Sequence, residues 1–232
     1  MRHKWYFIGC FLCVSALFAQ KELALDSLDT KYREDQFYFG ITYNALVNTP
    51  ELIDSQGLTG SVHFGFTRDM PINRRRNLSV ALGMGASFDE YGTTLFIGED
   101  QANRTIFTSL SNSDVSYDVN RFSTASIEIP LEFRLRTSST KNYKFWRFYA
   151  GLRLGYTYWY KSTFKQDGNT VIQTDIPEFN NMRLGATLSI GYNTVNFYGY
   201  YGIAPFFDNA ITTNGSPIDM RTLKLGLLFF IL

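Results

Sequence analysis

Beyond residue 19 the chain contains no cysteine, since Cys10 and Cys13 both precede that point. The remaining chain can therefore form neither a disulfide nor a thiolate metal site. It keeps a single histidine, His63, too few for a histidine ligand cluster. It lacks any run of 18 apolar residues, which excludes a transmembrane helix. It also lacks an excess of either charge. The 22 basic residues less Arg2 and Lys4 leave 20 against 21 acidic ones. A nucleic-acid partner, whose mark is a basic excess, is not expected. No cofactor is expected either.

The start of the chain accounts for where the cysteines lie. Met1-Arg-His-Lys4 is basic, Trp5 to Phe18 is apolar, and Leu17-Phe18-Ala19-Gln20 supplies a small-residue junction. These are the three regions of a secretory signal peptide. Residues 1–19 are read as that signal, 20–35 as a periplasmic N-terminal segment and 36–232 as the folded domain. Phe7-Ile8-Gly9-Cys10 resembles a lipoprotein box but lies too near Met1 to leave an apolar region before it.

Aromatic residues are plentiful, with 15 Tyr and 21 Phe, a bias that suits strands and membrane interfaces. The segment 126–136 shows how they are deployed. Ile127, Ile129, Leu131, Phe133 and Leu135 alternate with positions that include Glu128, Glu132, Arg134 and Arg136. Such alternation is a β-strand with one apolar and one ionic face. Seven further alternating stretches lie at about 36–48, 57–67, 78–90, 145–161, 181–193, 196–207 and 221–232, and the ionic one begins near 121. The stretch 145–161 would direct Trp146, Phe148, Leu152, Leu154, Tyr156, Tyr158 and Tyr160 to one side. The stretch 196–207 is aromatic on both faces, so its sidedness stays open. Faces opposite the apolar ones are small or polar, as with Ser79, Ala81, Gly83, Gly85 and Ser87. Gly83-Met-Gly85 is followed by no helix, so inward glycines explain it better than a nucleotide loop.

Apolar side chains outward and polar or glycine side chains inward describe a membrane barrel rather than a soluble one. The joints alternate accordingly. Those at 68–77, 137–144 and 193–196 are short, whereas those at 49–56, 92–120, 164–179 and 208–220 are longer. Bacterial outer-membrane barrels have short periplasmic turns and longer external loops. The expected fold is therefore an all-β, eight-stranded antiparallel transmembrane barrel of outer-membrane type, with both termini periplasmic. Thr94-Leu-Phe-Ile97 and Arg104-Thr-Ile-Phe107 suggest a hairpin above the membrane. Trp146 and Tyr158 would be roughly 40 Å apart at about 3.3 Å per residue. A tilt of about 40° leaves roughly 30 Å, enough for aromatic anchors at both edges of an apolar band about 25 Å tall.

An eight-stranded barrel is narrow enough for side chains to fill it. The lumen should then hold His63, Asp89, Glu128, Glu132, Arg134, Arg147, Arg153, Arg183 and Lys224. Buried charges need partners, so these carboxylates and cations are expected to form a structural charge network. His63 has no legible nucleophile or carboxylate partner, and no catalytic residue is assigned. Arg74-Arg75-Arg76 falls on a periplasmic turn, where it meets solvent and anionic headgroups or serves as a docking patch. Pro130 interrupts a strand expected to be paired on both sides, and a bulge or a missing ladder bond is expected there.

Four stretches carry a family resemblance. They are Lys31-Tyr-Arg-Glu-Asp-Gln-Phe-Tyr-Phe-Gly-Ile-Thr-Tyr-Asn44, Phe64-Gly-Phe-Thr-Arg-Asp-Met-Pro-Ile-Asn-Arg-Arg-Arg-Asn77, Tyr143-Lys-Phe-Trp-Arg-Phe-Tyr-Ala-Gly151 and Gly191-Tyr-Asn-Thr-Val-Asn-Phe-Tyr-Gly-Tyr-Tyr-Gly202. Together they resemble the PorT family of outer-membrane barrels, associated with the type IX (Por) protein secretion system. The resemblance implies a non-enzymatic outer-membrane component needed for export of cargo, including proteases and gliding adhesins. It also implies partners among outer-membrane lipids and other type IX secretion subunits. Its two most specific motifs fall on periplasmic turns, making Arg74, Arg75, Arg76, Tyr143 and Lys144 the candidate docking surface. The alternative is a small structural, adhesive or narrow-pore barrel unrelated to secretion. Eight strands cannot enclose a channel for folded cargo.

Overall fold

A computed structural model of the chain describes residues 35–111, 115–137 and 145–231. The expected signal peptide and nearly all of the N-terminal segment lie outside the described residues. Eleven strands follow in order: β1 Gln36–Val47, β2 Gly60–Pro71, β3 Leu78–Gly92, β4 Leu95–Glu99, β5 Thr105–Ser109, β6 Val119–Arg136, β7 Trp146–Gln166, β8 Asn169–Gln173, β9 Met182–Tyr192, β10 Val195–Gly202 and β11 Arg221–Ile231. No helix occurs among the described residues.

Eight of these strands close an antiparallel barrel in the order β1-β2-β3-β6-β7-β9-β10-β11. Closure runs from Phe37 opposite Ile231 to Val47 opposite Arg221. No long edge of that sheet is left open, which a lipid environment demands because it offers no water to unpaired backbone groups. The pair β4–β5 is a separate hairpin in the β3–β6 loop, where the sequence suggested one. Strand β8 pairs with the far end of β7. The alternation does not reveal β8, nor that β7 runs on to Gln166.

The wall is apolar on its outside. Phe37, Ile41, Tyr43, Phe64, Met84, Phe133, Trp146, Leu154, Leu188, Phe197 and Leu225 are all exposed. The sidedness of β10 is now defined: Val195, Phe197 and Tyr201 face out, while Asn196, Tyr198 and Tyr200 are buried inside. The turn from β9 to β10 is two residues, Asn193-Thr194, with Asn193 in the left-handed region at φ 56°, which asparagine tolerates.

One expectation reverses. The register between β6 and β7 slips between Ala125 and Ser126, so that Ala125 faces Trp159 and Ser126 faces Thr157. Tyr158 is the extra residue of a β-bulge, and a bulge changes which side of the sheet the following residues occupy. Tyr158 and Trp159 are both exposed. Tyr160, placed outward by strict alternation, instead turns in and packs against Phe179 in a tilted pair, 4.1 Å between centroids.

Pro130 meets its expectation through the second of the two alternatives. Opposite β3 the pairing lapses between Leu82–Leu131 and Gly85–Glu128, but the register is unchanged across the gap. On the β7 side Pro130 remains in register with Arg153. The missing rungs are there and a bulge is not.

Inside, glycines make room for rings. A Cβ on Gly40 would overlap the His63 imidazole, and one on Gly65 or Gly85 would overlap the Tyr38 hydroxyl. These close approaches require residues without side chains.

Candidate functional site

The interior has two zones. The one nearer the short turns is ionic and built by strand register. Glu132 and Arg134 lie two residues apart on β6, hence on the same face. The Arg134 Nη2 donates to Glu132 Oε2 at 2.9 Å and to Thr67 Oγ1 at 2.7 Å. Arg136 donates through Nη2 to Asp69 Oδ2 at 2.8 Å. Asp69 also accepts from the Ser79 hydroxyl at 2.6 Å. The side chains of Arg134, Arg136 and Asp69 are completely buried. The Arg134 guanidinium lies over the Tyr149 ring at 4.6 Å, and that of Arg147 over Phe145 at 4.5 Å.

Higher in the lumen, Arg153 Nη1 donates to Glu128 Oε2 at 3.1 Å and lies between the rings of Tyr38 and Tyr198, at 5.4 and 5.3 Å. Lys224 donates to Asp89 Oδ1 at 2.6 Å. His63 is buried beside Tyr198, 5.0 Å between centroids, and Tyr38, 6.2 Å. The paired charges persist in a narrow barrel because each loses water but gains an oppositely charged, hydrogen-bonded neighbour.

The structure thus brings together Asp89 with Lys224, Glu128 with Arg153, and Glu132 with Arg134. It does not bring Arg183 to a carboxylate. That guanidinium stands at the mouth of the barrel between Phe179 and Phe206, at 4.7 and 4.4 Å. Its Nη1 donates to the Pro205 carbonyl at 3.0 Å. Desolvated between two aromatic faces, it is held by cation–π attraction and a backbone acceptor. Asp69 and Arg136, absent from the expected network, are central to it. Asp69 was missed because β2 runs to Pro71, four residues beyond the end expected from alternation. It shares the inward parity of His63 and Thr67, which is the signal that could have found it.

The second zone is apolar and built by the long loops. Ile53 comes from the first loop, and Leu95, Ile97 and Phe107 from the second. Ile176 and Phe179 come from the third, and Phe206, Phe207, Ala210, Ile218 and Met220 from the fourth. They form one buried cluster with Tyr91 and Phe122 at the strand ends. Within it lies a cavity of about 10 Å3, too small for a ligand. Backbone bonds tie loop to loop, for example the Thr213 amide to the Phe107 carbonyl at 2.9 Å. The lumen is therefore filled by ions and rings and covered by a loop-built cap.

At the opposite end, the turn from β2 to β3 presents Arg74 and Arg75 as exposed side chains. The turn is tightly held. The Arg76 amide donates to the Asn73 carbonyl at 3.0 Å, the Ile72 amide to the Leu78 carbonyl at 3.0 Å, and Arg136 Nε to the Arg76 carbonyl at 3.0 Å. Arg136 thus links the buried ionic zone to the basic turn. Tyr143 and Lys144 lie outside the described residues. Among the described residues, no three His, Cys, Asp or Glu side chains converge to hold a metal ion.

The model of a family described as outer membrane protein beta-barrel domain matches residues 18–208, which include β1 to β10. Among solved structures, the crystal structure of Ail, the attachment invasion locus protein of Yersinia pestis, is similar at 11% identity and a TM-score of 0.32, covering 85% of this chain and 97% of that one. Its structure in complex with the heparin analogue sucrose octasulfate gives 11% identity and a TM-score of 0.31, over 86% and 99%. No curated protein matches.

Proposed function

Since the chain belongs to the outer-membrane β-barrel domain family, we propose that it is a non-enzymatic outer-membrane component of type IX protein export that acts through contacts with other subunits. The observation that carries this is the filled and capped lumen. A barrel whose interior holds Arg134, Arg136, Arg153 and Lys224 in ion pairs has no path for cargo, so its working surfaces are its rims and outer wall. The basic turn supports the same reading. It lies within a motif that resembles PorT proteins, and Arg136 donates to its Arg76 carbonyl, a contact that favours a preordered turn and so a lower ordering cost of binding. No nucleophile–base pair enters this reading, because His63 is enclosed by tyrosine rings.

Deleting the gene should leave type IX cargo inside the cell, and the intact gene supplied in trans should restore release. Normal release by the deletion strain sinks the proposal. A narrower test replaces Arg74 and Arg75 by Glu. Cargo release should fall while the barrel stays folded, and unchanged release removes the turn as the docking surface. An adhesive role is the second reading, favoured by Leu52, Ile172 and Ile211, which are exposed on the long loops. Loss of surface attachment with normal secretion in the same deletion strain would select it.

A further inference from the structure

The bulge at Tyr158 does more than reverse Tyr160. It turns Trp159 and Lys161 to the outer wall, where strict alternation would have pointed both into the lumen. There they complete two aligned rows across five strands. One row runs Ile41, Val62, Phe88, Ala125 and Trp159, each opposite the next in register. The adjacent row, one step closer to the long loops, runs Tyr43, Gly60, Glu90, Ser123 and Lys161. Within the rows Gly60 and Ser123 are small and leave space among Tyr43, Phe88, Trp159 and Lys161. The result is a groove of about 750 Å3 on the outer wall, of the size of a small-molecule site.

The groove has two chemistries at two heights. Its lower row is apolar and belongs to the lipid-facing band. Its upper row is polar, at the level where the external leaflet's headgroups meet an outer-membrane barrel. Arg121, one step higher still, donates to Glu90 at 3.0 Å. Ser123 donates to the same carboxylate at 3.5 Å. Glu90 is thereby engaged on both oxygens. Lys161, across from Ser123, has no carboxylate partner among the described residues and is partly exposed. A second cleft of about 240 Å3 shares Leu58, Glu90 and Arg121 and extends the groove toward solvent, between Gln56, Tyr117 and Asp118.

An unpaired ammonium directly above an aromatic and aliphatic trough calls for a ligand with an anionic group joined to hydrocarbon. The polar cleft beyond calls for a hydroxyl-rich head. We infer that this groove binds a phosphorylated, acylated glycolipid of the external leaflet. Acyl chain lies along the row that ends at Trp159, phosphate sits on Lys161 with Arg121 beside it, and sugar enters the upper cleft. Charge complementarity selects the phosphorylated lipid over a neutral one, and the trough selects lipid over free phosphate. The inference rests on the family's place in the outer membrane and not on a role in secretion.

The test uses the full-length protein in detergent, with diphosphoryl lipid A, its dephosphorylated form and inorganic phosphate as probes, and lipid retention read by native mass spectrometry. The wild type should retain the diphosphoryl lipid about tenfold more tightly than the dephosphorylated one, as one charge-assisted contact predicts. Lys161→Gln should lose that preference and Lys161→Arg should keep it. Val62→Trp, which fills the trough without altering charge, should weaken both lipids. Arg68→Gln, on the same wall toward the short turns, should change nothing. Each variant is first shown to be a folded barrel by its resistance to denaturant. Equal retention of the two lipids, wild-type behaviour of Lys161→Gln, or displacement by millimolar inorganic phosphate would each overturn the assignment.

Discussion

The barrel interior and the loop cap differ in which way they turn their apolar side chains. In the barrel, Phe133 and Leu131 face out and Glu132 and Arg134 face in. In the cap, Phe107, Phe179 and Phe207 face in. The two regions share one chain and meet at the level of the Tyr158 bulge. What differs is the medium outside. Lipid gives no hydrophobic gain for turning an apolar side chain inward, so the barrel places most apolar groups against lipid and pairs its buried charges among the inner rings of Tyr38, Tyr149, Tyr198, Tyr200 and Phe230. The cap stands in water, where removing apolar surface is the main driving force. The lesson concerns precision as well as polarity. Ion pairs need donors and acceptors at set distances, which strand register supplies. Hydrophobic burial is non-directional, so irregular loops achieve it without register.

The sharpest way to break this contrast is to strand a charge in the barrel. Arg134→Ala leaves Glu132 buried without its cation and should cost about 3–5 kcal/mol, seen as a lower denaturant midpoint of the folded barrel in detergent. Adding Glu132→Leu should recover most of that loss, because no unpaired charge then remains. A double variant as unstable as the single one would mean that the pair is not the source of the effect.

A cap substitution should behave differently. Phe179 packs against Tyr160, Phe122 and Phe207. Phe179→Ala should cost about 3 kcal/mol of local stability, confined to the loops. Protease should then cut between β7 and β9 while the barrel's denaturant midpoint stays near wild type. A matching drop in barrel stability would show the two zones to be one cooperative unit.

The smallest effect concerns the tip of the β4–β5 hairpin. The backbone amide of Arg104, and next its side chain, hold the Asp100 carboxyl below its usual range. A carboxyl depressed in the folded state stabilises above its unfolded value near about 4 and loses that contribution as pH falls through the lower, folded value. The protection of the Ala102 and Arg104 amides, which both bond to Asp100, should fall relative to the intrinsic exchange rate across that acidic window. Asp100→Asn should flatten the dependence.

How much of this was legible in the sequence depended on regularity. The faces of β3, β6, β9 and β11 follow from alternation alone, because each strand keeps one parity throughout. Tyr160 was assigned to the wrong side because Tyr156-Thr-Tyr-Trp-Tyr-Lys161 is bulky throughout and nothing in it marks the extra residue. Asp69 was missed at a strand end, where alternation weakens beside Pro71. Arg183 was expected beside a carboxylate, yet its neighbours Phe179 and Phe206 come from two different loops. The same long-range packing hides the whole cap, since no local pattern links Ile53 to Phe107 or Met220.

The central claim is that the lumen is sealed twice, by ion pairs within the wall and by the cap above it. Conductance of the full-length protein in a planar bilayer tests it most directly. No steady current should appear at moderate voltage, and loosening the cap by Phe179→Ala should not open one, because the ionic zone below remains. A persistent ohmic current through the wild-type protein would contradict the account.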